Sequence, residues 1–278
     1  MAITTLDGAV AGAQALRPFA KAATPTLVAG RPHSLWYLGG SPGAGGMDST
    51  TSGGVALSSS SSQVAGQIPH TDPVSGNSYL HRLSAAAGQA GTLLLCDRLW
   101  HGSGIIGGAV VSVTSTSAQT ITSFPGLPAR DVSGSSNGDG VLIGLEVYSA
   151  LGAGTPTVTL GYTNQAGTTS HSSTNIDAVV ASSAVGAFYR LGLQAGDTGV
   201  RAPTSIQLSA TMTSGNFGLV AYRVLASLEL SSANVPNAID FLTGGSAKIP
   251  NGAVPFLLFI PSTTTASSVS GTYVETQG

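Results

Sequence analysis

Residues 156–163 read PTVTLGYT and residues 204–212 read TSIQLSATM. In the first stretch, Val158, Leu160 and Tyr162 place an apolar side chain at every second position, and the second stretch alternates in the same way. Side chains i and i+2 of a strand lie on one face of a sheet, so this alternation predicts strands with one buried and one exposed face. These two stretches therefore indicate a core built from β-sheet.

The chain from residue 91 onward contains more stretches of this kind, separated by turn signals. Asn-Gly at 137–138, Asp-Gly at 139–140 and Asn-Gly at 251–252 are typical of tight turns between strands. One helix is predicted at residues 236–243 (PNAIDFLT), because Pro236 stands near its start and glycines follow it. The predicted strands are 92–99, 109–115, 118–123, 141–149, 156–163, 176–182, 187–194, 204–212, 216–230, 254–260 and 268–276.

This pattern predicts an all-β chain whose residues 91–278 form an antiparallel β-sandwich, jelly-roll-like in topology. A closed barrel is the alternative. No repeat of fixed period is present, which argues against solenoids and propellers.

Residues 1–90 differ in composition from the rest. Residues 9–23 predict a short helix that Pro18 interrupts. A Gly- and Ser-rich stretch follows at residues 39–54 (GGSPGAGGMDSTTSGG), and residues 58–62 are all serine. A segment of this composition buries too little apolar area to fold by itself. We therefore expect residues 1–90 to form an extended arm that orders against a neighbouring subunit, with a disordered linker as the alternative.

Apolar and aromatic side chains within this predicted arm are candidate interface residues. Trp and Tyr bury a large area at a small cost in side-chain entropy, which suits them to interfaces. Trp100, at the end of the first predicted strand, is expected to pack on its own domain instead. The predicted interface residues are Phe19, Leu35, Trp36, Tyr37, Leu38 and Tyr79.

The composition is unusually poor in charge. Charged residues make up 8% of the 278 positions, with 10 Lys and Arg, 12 Asp and Glu, and 38 glycines, whereas ordinary soluble domains carry about 25% charged residues. A surface of small polar side chains costs little to desolvate and suits close packing against other proteins. Compositional drift is the alternative explanation. Without clustered cations, neither nucleic acid nor an anionic membrane is an expected partner.

The single cysteine, Cys96, lies in the apolar run at 93–96 and is expected to be a buried, inert thiol. One cysteine allows no internal disulfide and fits folding in a reducing cytoplasm. No apolar run of 18 residues is present, and the first residues lack the basic and apolar regions of a signal peptide.

Short motifs of catalytic proteins occur in contexts that do not fit them. Of two G-x-S-x-G matches, the one at 39–43 has Pro42 after its serine, which lacks the N–H that an oxyanion hole needs, and the one at 134–138 follows no strand. The G-x-G-x-x-G match at 102–107 precedes a β-branched run where a nucleotide site needs a helix.

The histidines and carboxylates suggest structural roles as well. The pair His70 and Asp72 is more typical of a turn cap than of a metal site. A dyad of Asp97 with His101 is conceivable, but Arg98 offers the carboxylate a simpler ion pair. We therefore predict no catalytic residue, no cofactor and no metal site, and expect the protein not to be an enzyme.

Four stretches resemble a family of structural proteins from tailed-bacteriophage virions. They are RPHSLWYLGGSPGAG at 31–45, LLLCDRLWH at 93–101, LPARD at 127–131 with NGDGV at 137–141, and VPFLLFIPSTT at 254–264. The resemblance extends over most of the chain. It implies a head decoration (cement) protein: a jelly roll that binds as an oligomer, often a trimer, and clamps neighbouring capsomers.

The expected partners are therefore further copies of this chain, as a homotrimer, and the major capsid protein. The expected location is the virion, assembled in the cytoplasm of a host bacterium. Two alternatives stay open: a tail-tube, baseplate or fibre protein, and a carbohydrate-binding module or depolymerase on the particle surface. A tail-tube protein would polymerise into rings or tubes, whereas a carbohydrate-binding module would bind glycans.

Overall fold

The computed structural model describes residue 3, residues 5–245 and residues 247–278. Within these residues the chain forms one short helix, α1 (Leu6–Ala11), and seventeen strands. The strands are β1 (Arg17–Lys21), β2 (His33–Ser34), β3 (Gly40–Ser41), β4 (Val55–Ala56), β5 (Ser78–Ala87), β6 (Gly91–Gly102), β7 (Gln119–Thr120), β8 (Leu142–Ser149), β9 (Val158–Asn164), β10 (His171–Thr174), β11 (Phe188–Arg190), β12 (Val200–Leu208), β13 (Asn216–Leu230), β14 (Asn237–Asp240), β15 (Lys248–Ile249), β16 (Pro255–Pro261) and β17 (Val269–Gln277).

The fold is all-β and antiparallel, which confirms the predicted fold class. The described strand pairs run antiparallel. The one described helix has six residues, and Thr5 caps it by accepting a hydrogen bond from the backbone N–H of Gly8 at 3.0 Å. No helix among the described residues is long and apolar enough to cross a membrane.

The chain divides into two compact units. Unit 1 comprises the chain up to Gly45, Ser58–Asp97 and Val224–Gly278; unit 2 comprises Gly46–Leu57 and Arg98–Arg223. Strands β6 and β13 each begin in one unit and end in the other. The predicted division at residue 90 is therefore not the one found.

Unit 1 is a sandwich with its own core. Strands β14, β5, β17, β1 and β3 lie side by side in one sheet, with β15 also paired to β5. Residues 91–97 of β6 pair with β16, which pairs with β2. The core contains side chains from both groups of strands, among them Phe19, Leu83 and Tyr273 from the first and Leu95 and Phe259 from the second. Burial of these apolar faces is what holds the two layers together.

Unit 2 repeats this plan with different strands. One sheet has the order β10, β9, β12, β7. Strand β8 pairs with β11 on one side and with the first part of β13 on the other. Val158, Leu160 and Tyr162 are fully buried, as are Ile206 and Leu208. The alternation in the two opening stretches of sequence is therefore confirmed as the inward face of β9 and β12.

The structure differs from the predicted arm. Strands β1 and β5 are both paired with β17 over most of their length. Phe19 and Leu80 belong to the core of unit 1. The sequence did not predict β5, because the buried face of this strand ends in Ala85 and Ala87. Alanines are too small to produce a clear alternation of apolar and polar residues.

Three predicted elements are wrong. Residues 109–115 form a loop, in which the Gln119 side chain bonds both the N–H and the carbonyl of Ser112 and so replaces a neighbouring strand. Residues 176–182 are also a loop, and the strand β10 lies just before them. Residues 237–240 form β14 rather than a helix, because pairing with β5 satisfies their backbone groups, and Asp240 then caps a turn. Tertiary pairing has overridden weak local preference in this segment.

The helix predicted over residues 9–23 is found only at α1. Residues 17–21 form β1 instead. Strand β3 pairs only with Ala20 and Lys21 of β1, so Pro18 is not opposite a residue of β3. A strand edge tolerates a residue without an N–H, whereas a helix interior does not.

Candidate functional site

Three of the six predicted interface residues are in the core of unit 1. Phe19, Leu35 and Trp36 are 2%, 1% and 1% exposed. They leave no surface for a partner, so their assignment to an interface is wrong. Their apolar character reflects packing within their own sandwich.

Two glycines lie against Trp36, one from the Gly-rich stretch and one, Gly66, from further along the chain. A Cβ atom on Gly45 would lie 2.4 Å from the indole ring, and one on Gly66 would lie 2.9 Å from it. The ring of Phe256 meets the indole edge-on at a centroid distance of 6.1 Å. Glycine is required at both positions because only a residue without a side chain allows the backbone to lie on the ring. Gly45, the last residue of the Gly-rich stretch that belongs to unit 1, is thus packed within that unit.

The other three predicted interface residues, Tyr37, Leu38 and Tyr79, are half-buried. Leu38 packs against the core of unit 1. Tyr79 lies in β5, where it pairs with Lys248 on one side and Thr276 on the other. Each retains some exposed surface, so their role at an interface stays a prediction.

Trp100 is fully buried in the core of unit 2, which confirms that it packs on its own domain. Its Nε1–H donates to the carbonyl of Gly53 at 2.9 Å. Phe124 meets the indole edge-on at 5.2 Å between centroids.

Lys21 holds the loop that follows β3. Its side chain is 4% exposed, and its Nζ donates to the carbonyls of Pro42 at 2.9 Å and of Leu38 and Gly43 at 3.3 Å each. Burial lowers the pKa of Lys21 to about 8. This lysine therefore ties the loop to β1, and no pattern in the sequence around Lys21 indicates this role.

His70 is the centre of a buried polar cluster in unit 1. Its Nδ1 lies 2.7 Å from Glu275 Oε1 and its Nε2 lies 2.9 Å from Asp72 Oδ1. Tyr273 donates its hydroxyl hydrogen to the same Glu275 oxygen. Asp72 in turn accepts from the backbone N–H of Gly252 at 2.7 Å. The sequence predicted that His70 and Asp72 form a turn cap. It did not predict the contact of His70 with Glu275, which lies 205 residues away.

A second cluster is buried in unit 2. Arg98 donates to both oxygens of Glu146, at 3.0 and 2.6 Å, and to Nδ1 of His101. Arg98 and Glu146 are both fully buried. Burial, followed by the charge of Arg98, holds the pKa of His101 well below its usual range. The ion pair that is found for Arg98 joins it to Glu146, whereas the sequence suggested Asp97; adjacent residues of a strand point to opposite faces.

A third cluster surrounds Asp197 in unit 2. Its carboxylate accepts from the Tyr162 hydroxyl at 2.6 Å, from His171 Nδ1 at 2.8 Å and from the Asn164 amide at 2.8 Å. The Tyr162 hydroxyl also accepts from the backbone N–H of Gln194. The arrangement ties β9, β10 and the loop at 194–198 together.

The hydrogen bonds of these clusters join segments that are distant in sequence. Both ring nitrogens of His70 face carboxylates, and Nδ1 of His101 is occupied by Arg98. Among residues 3, 5–245 and 247–278, no group of three or more His, Cys, Asp and Glu side chains is placed to hold a metal ion.

The catalytic motifs lie in loops and turns. Ser41 ends β3, and no helix follows it. Residues 134–138 form a loop organised by the carboxylate of Asp131, which accepts from the N–H groups of Ser135 and Gly138. After residues 102–107 the chain turns at Gly107 and Gly108, both with positive φ, and continues as a loop.

A shallow depression of about 430 Å³ lies on unit 2, between Phe124, Leu127 and Arg201. No carboxylate is among the described residues that line it. A glycosidase needs a pair of carboxyl groups flanking its substrate, so this depression does not fit one.

The surface is as poor in charge as the composition indicated. Of the 10 basic and 12 acidic residues, eight are buried. They are Lys21, Arg31, Asp97, Arg98, Arg130, Asp131, Glu146 and Glu275. The remaining outer surface is made chiefly of Ser, Thr, Gly and Ala.

No protein-family model matches the chain, and no curated protein matches it. Among solved structures, the VP2 subviral particle of infectious bursal disease virus matches at 11% identity, with 95% of this chain and 80% of that chain covered and a TM-score of 0.16. A mutant VP2 of the same virus, in derived T=1 particles, matches at 11% identity over 95% and 78%, also with a TM-score of 0.16. Scores of this size do not define a shared fold.

Proposed function

We propose that this protein is a non-enzymatic structural component of a phage virion, which decorates and stabilises the capsid by clamping neighbouring capsomers. Its partners are further copies of itself, as a homotrimer, and the major capsid protein. The observation that carries the proposal is the scarcity of charge on the outer surface: the chain has 10 basic and 12 acidic residues, and eight of these are buried.

This surface suits a protein that is covered by other protein on several sides. Burying Ser, Thr or Ala costs less side-chain entropy than burying Lys or Glu, and requires no charge to be desolvated. Many identical contacts repeated by symmetry then give strong binding although each contact is small. The resemblance of the four sequence stretches to virion proteins supports the same proposal.

The experiment is light scattering on the purified chain, first alone and then with heads assembled from the capsid protein of the same virus. A discrete trimer that binds heads to saturation at a fixed ratio is the expected result. Heads stabilised against heat or denaturant by the bound protein would show the clamping role. A chain that leaves heads unbound at every ratio would overturn the proposal.

Two other results would direct the assignment elsewhere. Growth of rings or tubes from the chain alone would favour the tail-tube alternative. Binding to a glycan array, or release of reducing ends from a polysaccharide, would favour the carbohydrate-binding alternative. Both assays use the same purified chain, so one preparation distinguishes the three functions.

A further inference from the structure

Residues 58–77, here called the strap, cross unit 1 without forming a helix or strand. Ile68 is 1% exposed and belongs to the core, and its N–H donates to the carbonyl of Pro255 at 2.7 Å. Ser59 bonds the carbonyls of Gly252 and Ala253. The strap is therefore held by a small number of contacts to loop 250–254, β16 and β17.

His70 makes the charged contact between the strap and β17. Its side chain is fully buried, as is Glu275 at 1% exposure, whereas Asp72 is 26% exposed. The distances of 2.7 and 2.9 Å place a carboxylate oxygen against each ring nitrogen. Only the protonated ring can donate to both carboxylates at once, because the neutral ring carries one N–H.

We propose that His70 is a pH-sensitive clasp, which fastens the strap to β17 when protonated and loosens it when a rising pH removes its proton. The neutral ring leaves one carboxylate facing a nitrogen lone pair. It also removes the cation that balances Glu275, whose Oε2 has no hydrogen-bond partner among the described residues. A buried carboxylate without a balancing cation is costly.

The direction of the effect follows from the groups around the ring. Burial alone would lower the pKa of His70, but the hydrogen bonds and charges of Glu275 and Asp72 outweigh it and raise the pKa. A raised pKa means that the clasp stabilises fully below the unfolded value of 6.5 and is lost as the pH rises through the folded value.

The neighbouring titratable groups do not reverse this behaviour. Burial, then Glu275, raises the pKa of Tyr273 well above 10, so its hydroxyl stays neutral. Burial opposes the ionisation of Asp72, but the Gly252 N–H and the hydrogen bonds of Ser60 and His70 outweigh it and lower the pKa. Arg17 of β1 donates to the Thr71 hydroxyl at 3.1 Å and contributes a constant positive charge. Asp97 of β6 also contributes to the raised pKa of Tyr273.

Hydrogen exchange on the whole chain tests the clasp. Protection of the strap amides, corrected for the intrinsic pH dependence of exchange, is measured from about pH 6 to about pH 9. We expect it to fall about tenfold, the size of one charge-assisted hydrogen bond. Amides of β9 should keep their protection. Lys21 also loses a proton in this pH range. That change would lower the protection of amides in residues 38–43, which Lys21 holds, and not of the strap.

Two variants separate the clasp from general alkaline loosening. In His70→Gln the strap should lose its pH dependence, because the amide does not titrate. In the matched variant His171→Gln, which removes a histidine 2.8 Å from the Asp197 carboxylate, the strap should behave as in the native chain. Strap protection that is independent of pH in the native chain, or that falls equally in His70→Gln, would overturn the proposal.

A measurement without substitution covers the case in which His70→Gln does not fold. Nitrogen-15 NMR of the histidine rings in the native chain distinguishes a ring with two protonated nitrogens from a ring with one. We expect His70 to carry both protons at about pH 6 and to lose one as the pH rises. A neutral His70 ring at about pH 6 would rule out the clasp.

Discussion

The indole Nε1–H of Trp100 donates a 2.9 Å hydrogen bond to the carbonyl oxygen of Gly53. The next residue, Gly54, lies so close that a Cβ atom there would be 2.8 Å from the same nitrogen. Gly45 and Gly66 cover Trp36 of unit 1 in a similar way. Gly45, Gly53 and Gly54 of the Gly-rich stretch thus contact the two tryptophans, which explains by packing why glycine stands at these positions.

Gly45→Ala should destabilise the protein by about 1–3 kcal/mol, because overpacking a filled core forces neighbouring groups to move. The added methyl carbon would lie 2.4 Å from the Trp36 ring and 2.6 Å from the carbonyl oxygen of Ala65. Urea unfolding followed by tryptophan fluorescence measures the change. Gly46→Ala is the matched control, since a Cβ at Gly46 meets no atom within 4 Å. Equal stability of the two variants would show that the cover of Trp36 is loose.

The long strands were predictable from the sequence, whereas the strands that depend on pairing with distant segments were not. Residues 216–230 were predicted as one strand and form β13 with the same bounds, because their apolar residues are large and continuous. Strand β5 was missed since its inward residues include alanines, and residues 236–243 were assigned a helix since Pro236 mimics a helix start. Local signals of this kind cannot show that β5 lies beside β14 and supplies the missing hydrogen bonds.

The candidate site was predictable to a smaller extent. Aromatic residues beside a Gly-rich stretch suggested an interface. Trp36 is instead buried, and its ring contacts that of Phe256, which lies 220 residues later in the chain. The buried clusters show the same limit. His70 and Arg98 were noticed because a carboxylate stands near each in sequence, whereas Glu275 and Glu146 come from strands whose register only the folded chain defines.

Glu146→Gln should cost about 3–5 kcal/mol of stability, because it leaves the buried Arg98 guanidinium without its carboxylate. Both side chains are fully buried, so water cannot replace the lost partner. Asp177→Asn is the control for a partly exposed pair: Arg190, its partner at 2.6 Å, is 33% exposed, and Asp177 is 8% exposed. We expect that variant to lose about 1 kcal/mol or less. Chemical denaturation of both variants gives the comparison, and losses of similar size would contradict the structural role assigned to Glu146.

Acid should destabilise unit 1 through His33. Burial, followed by the nearby charge of Arg31, lowers the pKa of His33 to about 4. The unfolded chain takes up a proton at its ordinary pKa of 6.5, and the folded chain does not, so stability falls as the pH drops below 6.5 and levels off near 4. Linkage gives a loss of about 2 kcal/mol between pH 7 and pH 5.

The variant His33→Gln checks this assignment, because glutamine does not titrate. Its unfolding free energy should change about 2 kcal/mol less than that of the native chain over the same range. His101 contributes in the same direction and remains in the variant, so part of the acid sensitivity should persist. An unchanged pH dependence in His33→Gln would show that His33 does not stay neutral in the folded chain.

Tyr79→Ser should weaken self-association while leaving the fold intact, if the half-buried tyrosines of unit 1 lie at the contact between subunits. Truncating an aromatic anchor at an interface costs about 2 kcal/mol or more of binding free energy, roughly a thirtyfold rise in the dissociation constant. Tyr148→Ser in unit 2 is the matched control, because Tyr148 is also a half-buried tyrosine of a strand and was not assigned to the interface. Sedimentation velocity over a range of concentrations measures association, and thermal unfolding measures the stability of the fold.

Dissociation in Tyr79→Ser alone, at a nearly unchanged melting temperature, would place the subunit contact at β5. If both variants associate like the native chain, Tyr79 packs only within its own unit, as Trp36 does, and the contact lies on another face.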